Sequence, residues 1–320
     1  MIRVSQVTPN LNGTSLSMSK GRLLAGLTLF SAVALTASAC GGSSSSSSTP
    51  SASAAGAGTN FTLTAPAAIK SAGVLSICAD MTYPPYTFVQ NNEPTGEDVD
   101  FANVIAKAMG VQAQFHQTGY VDIVGALQAG KCDVIINGTN GTAALAEVIL
   151  QDPYLRDTQG FITQKGNPEH IQSLDDLAGK RVATQLGSSD ATYLQALNKT
   201  FVAAGKAPMV LAALPQDTTA FSAVLSGRYD TFFQDRPVLG YYATNFPGQV
   251  TILDLSVNPV SVVVDLRKDE TALAAVIQTG IADMYRLGIF QKIAAKWGFP
   301  ASDLLSSACQ VPNPSDSCSQ

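Results

Sequence analysis

Three places in the 320-residue chain set chemically useful side chains beside segments able to hold them. Asp80 stands just past the apolar run Val74-Leu75-Ser76-Ile77-Cys78, and Tyr83 and Tyr86 follow it in a turn with Pro84 and Pro85. Gly187-Ser188-Ser189 comes after Arg181-Val182-Ala183-Thr184-Gln185-Leu186 and opens a helical stretch. Backbone N–H groups and hydroxyls at a helix N-terminus suit a carboxylate, though the same residues serve equally as an ordinary N-cap. Asp235 follows a strand-like stretch over residues 230–234, where it is either a ligand acid or a surface acid in a turn. Carboxylates and tyrosine faces together favour a positively charged partner.

The elements that must position these residues read as alternating strands and helices. Strands are expected over residues 74–78, 133–136, 181–186, 209–214, 230–234 and 260–266, several of them continuous apolar runs of the kind buried in parallel sheets. Asp98 reads as the N-cap of a helix whose apolar positions Phe101, Val104, Ile105, Ala108 and Met109 end at Gly110. Further helices fit residues 121–128, 190–204 and 218–228, with two more between 270 and 297 broken near Gly288. This alternation argues for βαβ units in an open α/β sheet. Two lobes of about 100 residues each account for the length.

Composition narrows the chemistry. Nineteen Lys and Arg against 24 Asp and Glu give a net charge of −5, so a nucleic-acid partner has no electrostatic footprint. Two histidines make histidine-based metal or catalytic sites improbable, and no cysteine spacing fits zinc. Neither a metal nor a cofactor is expected. Residues 1–39 hold Arg3, Lys20 and Arg22 and no acid, which leaves 16 basic and 24 acidic residues, −8, on the remainder. Lys20 and Arg22 precede an uncharged apolar run over residues 23–37 and the small residues before Cys40, the layout of a secretory signal. Residues 40–60 are rich in Ser, Gly and Ala, a composition that buries no core and serves as a tether. Met18 begins a signal of more ordinary length than Met1 does.

Several blocks carry a family resemblance. They are Tyr83-Pro84-Pro85-Tyr86-Thr87-Phe88 with Gly96-Glu97-Asp98-Val99-Asp100, then Ala126-Leu127-Gln128-Ala129-Gly130-Lys131-Cys132-Asp133-Val134-Ile135-Ile136 and Asp152-Pro153-Tyr154. Leu174-Asp175-Asp176-Leu177-Ala178-Gly179-Lys180-Arg181-Val182, Gly187-Ser188-Ser189, Gly227-Arg228-Tyr229-Asp230, Asp235-Arg236-Pro237 and residues 288–297 continue the series. In this order, from about residue 70 to 298, they resemble family-3 extracellular solute-binding proteins, the receptors of polar amino-acid ABC importers. The resemblance implies an α/β, periplasmic-binding-protein-like (type II) two-lobe flytrap, each lobe an open, mostly parallel sheet flanked by helices. Residues 61–160 plus 260–320 then form lobe 1 and residues 161–259 lobe 2, with two crossing strands as the hinge. It also implies a ligand site of Asp80, Tyr83, Tyr86, Tyr120, Asn137, Gly138, Asn140, Thr142, Ser188, Ser189 and Asp235. Cys40 sits where bacterial lipoprotein signals place the lipidated cysteine, although Ala37 replaces their usual leucine. The chain is thus expected to be a monomer held by lipid to the outer face of the cytoplasmic membrane, with an ABC permease as partner.

Two departures bear on the ligand. The family's Thr-x-x-Arg segment, whose arginine grips a ligand carboxylate, keeps Thr142 but puts Leu145 at the arginine position. A leucine does not replace a bidentate clamp. The carboxylate rests on Ser188, Ser189 and Asn140, or Arg156 or Arg236 swings in, or the ligand has no carboxylate. Glu97 stands where the family has an apolar residue and reads as a surface change. Cys309 and Cys318 bracket a Pro-containing tail and are the cheapest disulfide pair, which leaves Cys78 and Cys132 as buried thiols or a second bridge. Three functions fit the chain. One is an importer receptor for an amine-bearing solute, the second an enzyme on the same scaffold of the cyclohexadienyl dehydratase kind, and the third a ligand-sensing subunit of a signalling system.

Overall fold

Leu75 and Ile77 are fully buried and alternate with half-buried Val74 and Ser76, so the first apolar run is a strand covered on both faces. The structure is a computed structural model in which residues 61–306 are described. The signal, the tether, Cys40 and the pairing of Cys309 with Cys318 lie outside those residues. The described chain begins with α1 (Ala67–Ala72), β1 (Val74–Ala79) and a small antiparallel sheet of β2 (Thr82–Tyr83), β3 (Thr87–Gln90) and β4 (Glu93–Thr95). Next come α2 (Glu97–Ala108), β5 (Gln112–Gln117), α3 (Ile123–Gln128), β6 (Val134–Asn140), the one-turn α4 (Ala143–Ala146) and β7 (Ile149–Gln164). Then follow β8 (Arg181–Gln185), α5 (Ser189–Ala203), β9 (Val210–Leu214), α6 (Asp217–Leu225), β10 (Thr231–Asp235), α7 (Arg236–Asn245) and β11 (Val250–Ile252). The last elements are β12 (Val257–Arg267), α8 (Thr271–Arg286) and α9 (Ile289–Trp297).

β5, β1 and β6 are parallel neighbours, and so are β10, β8 and β9. Between the trios run β12 and β7, antiparallel to each other and to their flanking strands, in one sheet of order β5-β1-β6-β12-β7-β10-β8-β9. This is the type II two-lobed α/β architecture, with β7 and β12 passing from one lobe to the other. β7 runs to Gln164 and β12 starts at Val257. Pro153, which has no N–H to donate, lies inside β7 beside a register shift against Val262 and Val263 that leaves Tyr154 unpaired. A bulge is where a strand tolerates proline.

Two local expectations change. α2 starts at Glu97 behind Gly96, so Asp98 is not its cap. A Cβ on Gly96 would lie 1.9 Å from the Tyr86 carbonyl oxygen, and its φ of +142° is glycine territory. Asp98 turns inward instead, accepting from the Gly138 N–H at 2.6 Å and from the Tyr154 hydroxyl. Glu97 is not a surface residue. It is fully buried beside Asp98, and burial together with that neighbour holds its carboxyl well above the usual range. α7 has no sequence expectation behind it; its Arg236-Pro237 start puts a proline where a helix N-terminus accepts one.

Cys78 at the end of β1 and Cys132 just ahead of β6 form a disulfide, which settles that pair as a bridge. It is buried among Ile123, Leu127, Ile135 and Ile149. Among the described residues no helix is long and apolar enough to cross a membrane.

Candidate functional site

The carboxyl ends of β1, β6, β8 and β10 come together between the trios, the rim on which open α/β sheets present ligand groups. Asp235 ends β10 and is fully buried. It accepts from the Tyr83 hydroxyl at 2.6 Å, Asn140 Nδ2 at 3.0 Å and Gln159 Nε2 at 3.2 Å. Asp190, in the first turn of α5 and 2% exposed, accepts from the same Gln159 amide. Asp80, just past β1, accepts from the Thr82 N–H at 3.1 Å, the Thr82 hydroxyl at 2.8 Å and Gln185 Nε2 at 3.0 Å.

These partners are all neutral. Among the described residues the salt bridges lie elsewhere, such as Arg181 on Asp230 and Lys296 on Asp100. Burial without a counter-charge raises the Asp235 pKa, despite the bonds from Tyr83, Asn140 and Gln159. Burial and the Asp235 and Asp217 charges push Asp190 well above the usual carboxylate range. Asp217 flanks the cluster, held by Tyr242 at 2.7 Å and Gln234 at 2.8 Å, and burial takes it up to about 7. A cation brought among such groups supplies the charge that the protein leaves out.

The expected site residues play several parts. Tyr83 and Tyr86 stack with ring centroids 5.2 Å apart. Tyr83 reaches across to Asp235, whereas Tyr86 is fully buried, with Phe299 edge-on to its ring and its hydroxyl on Asp157 at 2.8 Å. Tyr120 is half-buried on a single 3-10 turn, where burial and the charges of Asp190, Asp265, Asp235 and Asp80 push its hydroxyl pKa up. Asn137 Oδ1 accepts from the Asp80 N–H at 2.7 Å and the Thr87 hydroxyl at 2.8 Å, so it holds Asp80 in place. Gly138 gives its N–H to Asp98 and lies under both tyrosine rings. Asn140 donates to Asp235 and, at 3.2 Å, to Ser189 Oγ, while its Oδ1 is buried with no partner.

Thr142 caps α4 by accepting from the Leu145 N–H at 3.2 Å, and the Leu145 side chain packs on the apolar cluster around the disulfide. Ser188 caps α5: its hydroxyl accepts from the Ala191 N–H at 3.1 Å and donates to the Gln185 carbonyl at 2.8 Å. Thr142 and Ser189 line a 390 Å³ cavity with Tyr193, Asn258 and Ser261. Arg236 donates to the Leu253 carbonyl at 3.2 Å, and Arg156 lines a separate 270 Å³ cavity with Asp157 and Asp303. Sequence reasoning passed over Asp190, Gln159 and Gln185. The one visible signal was an acid directly after Gly187-Ser188-Ser189, in the turn where a helix dipole favours negative charge.

A model of the bacterial extracellular solute-binding proteins, family 3, matches residues 75–300. This chain belongs to that family. The L-cystine-binding protein TcyJ of Escherichia coli is 26% identical over 231 residues, covering 72% of this chain and 84% of that protein. The L-cystine-binding protein TcyA of Bacillus subtilis is 27% identical over 234 residues, covering 72% and 83%. An ancestral arginine-binding protein solved with arginine has a TM-score of 0.63 at 32% identity, covering 70% of this chain and 98% of that one. An ancestral amino acid-binding protein, a precursor of cyclohexadienyl dehydratase, has a TM-score of 0.66 at 28% identity, covering 72% and 97%.

Proposed function

We propose that this family-3 protein is an exported receptor that takes a small, positively charged, amine-bearing polar solute between its lobes and delivers it to an ABC importer. The observation that carries the reading is the meeting of Asp80, Asp190 and Asp235, all buried and all held by neutral partners. Three uncompensated carboxylates disfavour an anion or a sugar and favour a cation, which also recovers hydrogen-bond capacity left on Asn140 Oδ1. Tyr83 and Tyr120 add ring faces beside the same acids. Residues 61–160 with 260–320, and residues 161–259, are the two closing lobes. Cys40 carries the lipid that holds a monomer at the outer face of the cytoplasmic membrane. Binding without turnover is the activity, so prephenate and arogenate are not converted.

A thermal-shift panel of amino acids, amines, sugars and anions, followed by calorimetry, tests the ligand class. Amines are expected to raise the melting temperature. If sugars or anions raise it while every amine leaves it unchanged, the reading fails. Asp235→Ala is expected to weaken the best amine by about 2 kcal/mol or more, because one side of a buried charge pair is removed.

A further inference from the structure

We propose that Gln185 sets the charge preference of the cleft: it holds Asp80 from the opposite lobe as a neutral donor, and so fixes that carboxylate for a ligand cation without cancelling its charge. This rests on the reading of the cleft as a cation site and names the residue that keeps it one.

Gln185 is the last residue of β8, buried and in register with Leu214 of β9. Its carbonyl accepts from the Ser188 hydroxyl at 2.8 Å, which ties it to the turn that opens α5. That turn lies against the other lobe: a Cβ on Gly187 would sit 3.6 Å from the Val121 side chain. From this anchored strand end Gln185 Nε2 donates to Asp80 Oδ2 at 3.0 Å, across 105 residues of chain. Asp80 Oδ1 takes both Thr82 donors, and the Asp80 N–H is fixed by Asn137. The buried carboxylate is therefore held at both oxygens by groups that carry no charge.

The same strand shows the alternative. Arg181 opens β8 and pairs with Asp230, so that acid meets a counter-charge. β8 thus gives one acid a cation at its exposed start and another acid an amide at its buried end. A basic side chain at position 185 would reach Asp80 from that strand end and neutralise it. An amide supplies the hydrogen bond alone. The acid on the other lobe is treated the same way, since Gln159 Nε2 and Asn140 Nδ2 both donate to Asp235. The charges of Asp235 and Asp80 both reach the Tyr120 hydroxyl, so the acid that Gln185 holds faces the same space as the acid that Gln159 holds.

Calorimetric titration of Gln185→Lys and Gln185→Leu with free arginine, lysine and cadaverine tests this. The first substitution keeps a donor for Asp80 and adds a charge, whereas the second removes the donor and adds none. If Gln185 only held Asp80 in place, Gln185→Lys would be the milder change. The inference expects the reverse: cation affinity falls by about 100-fold or more in Gln185→Lys and by about tenfold or less in Gln185→Leu. If Gln185→Lys binds these cations as well as Gln185→Leu does, or better, the inference is overturned and the cation reading stands. Failure of all three to bind the unaltered protein overturns both. If Gln185→Lys fails to fold by circular dichroism, Asp80→Asn takes its place, and a loss no greater than that of Gln185→Leu overturns the inference.

Discussion

At Gly138 the backbone sits at φ +56°, and a Cβ built there would lie 2.7 to 2.9 Å from the rings of Tyr86 and Tyr83. The residue therefore works through what packs on it. Its bare backbone lets the stacked tyrosines approach, and its N–H satisfies buried Asp98. Gly138→Ala combines a strained conformation with an overpacked contact, a cost of about 2 to 4 kcal/mol in total. Urea unfolding should show that loss, and cation affinity should fall with it, because Tyr83 loses its seat against Asp235. An unchanged midpoint would mean that the rings yield freely. Asn137 works the same way, fixing Asp80 through its backbone while its Nδ2 is buried without a partner.

The element that most constrains the site is β1. Its end is tied twice to β6, through the Cys78–Cys132 disulfide and through the Asn137 bond to the Asp80 N–H. The bridge closes a separation of 54 residues, for which chain entropy alone gives about 4 kcal/mol. Replacing both cysteines by serine should lower stability toward that amount and loosen the loop that carries Asp80. Unfolding curves and amine titrations on the same variant separate the two effects. Lost stability with unchanged affinity would assign the placement of Asp80 to Asn137 alone. β7 and β12 carry a different load: Gln159 on β7 holds Asp190 and Asp235 together, and Asn258 on β12 holds Gln159.

Across the whole molecule, buried carboxylates without counter-charges set how stability depends on pH. Burial takes Asp217 and Asp265 up to about 7, and Asp98 and Asp152 up to about 6. Their folded pKa values lie above the unfolded ones, so between about pH 4 and 7 the folded chain holds protons that the unfolded chain has released. Stability therefore falls as pH rises through that window. Asp230 acts in the opposite sense: its pairing with Arg181 outweighs the penalty of partial burial, lowers its pKa and gives stability that is lost at acid pH. The ligand-free protein should melt highest near pH 4 to 5 and progressively lower toward pH 7.5. A melting temperature that climbs across that range would contradict the placement of these acids. Cation binding favours the ionised carboxylates, so amine affinity should rise with pH over the same interval.

The sequence by itself determined the alternation of strands and helices, because apolar period, glycine stops and caps are local signals. It also placed Asp80 and Asp235 just beyond strand ends, where connectivity alone exposes them to a cleft. Tertiary structure decided which polar groups meet. Tyr83 and Asp235 are 152 residues apart, Asp80 and Gln185 are 105 apart, and Gln159 joins two acids from different elements. Nothing in the local sequence shows that Glu97 is buried, that Leu145 faces the apolar cluster, or that Asp190 is buried against Gln159. Buried polar groups are satisfied by whatever the fold brings near, and that choice is made only when the two lobes and their crossing strands are assembled.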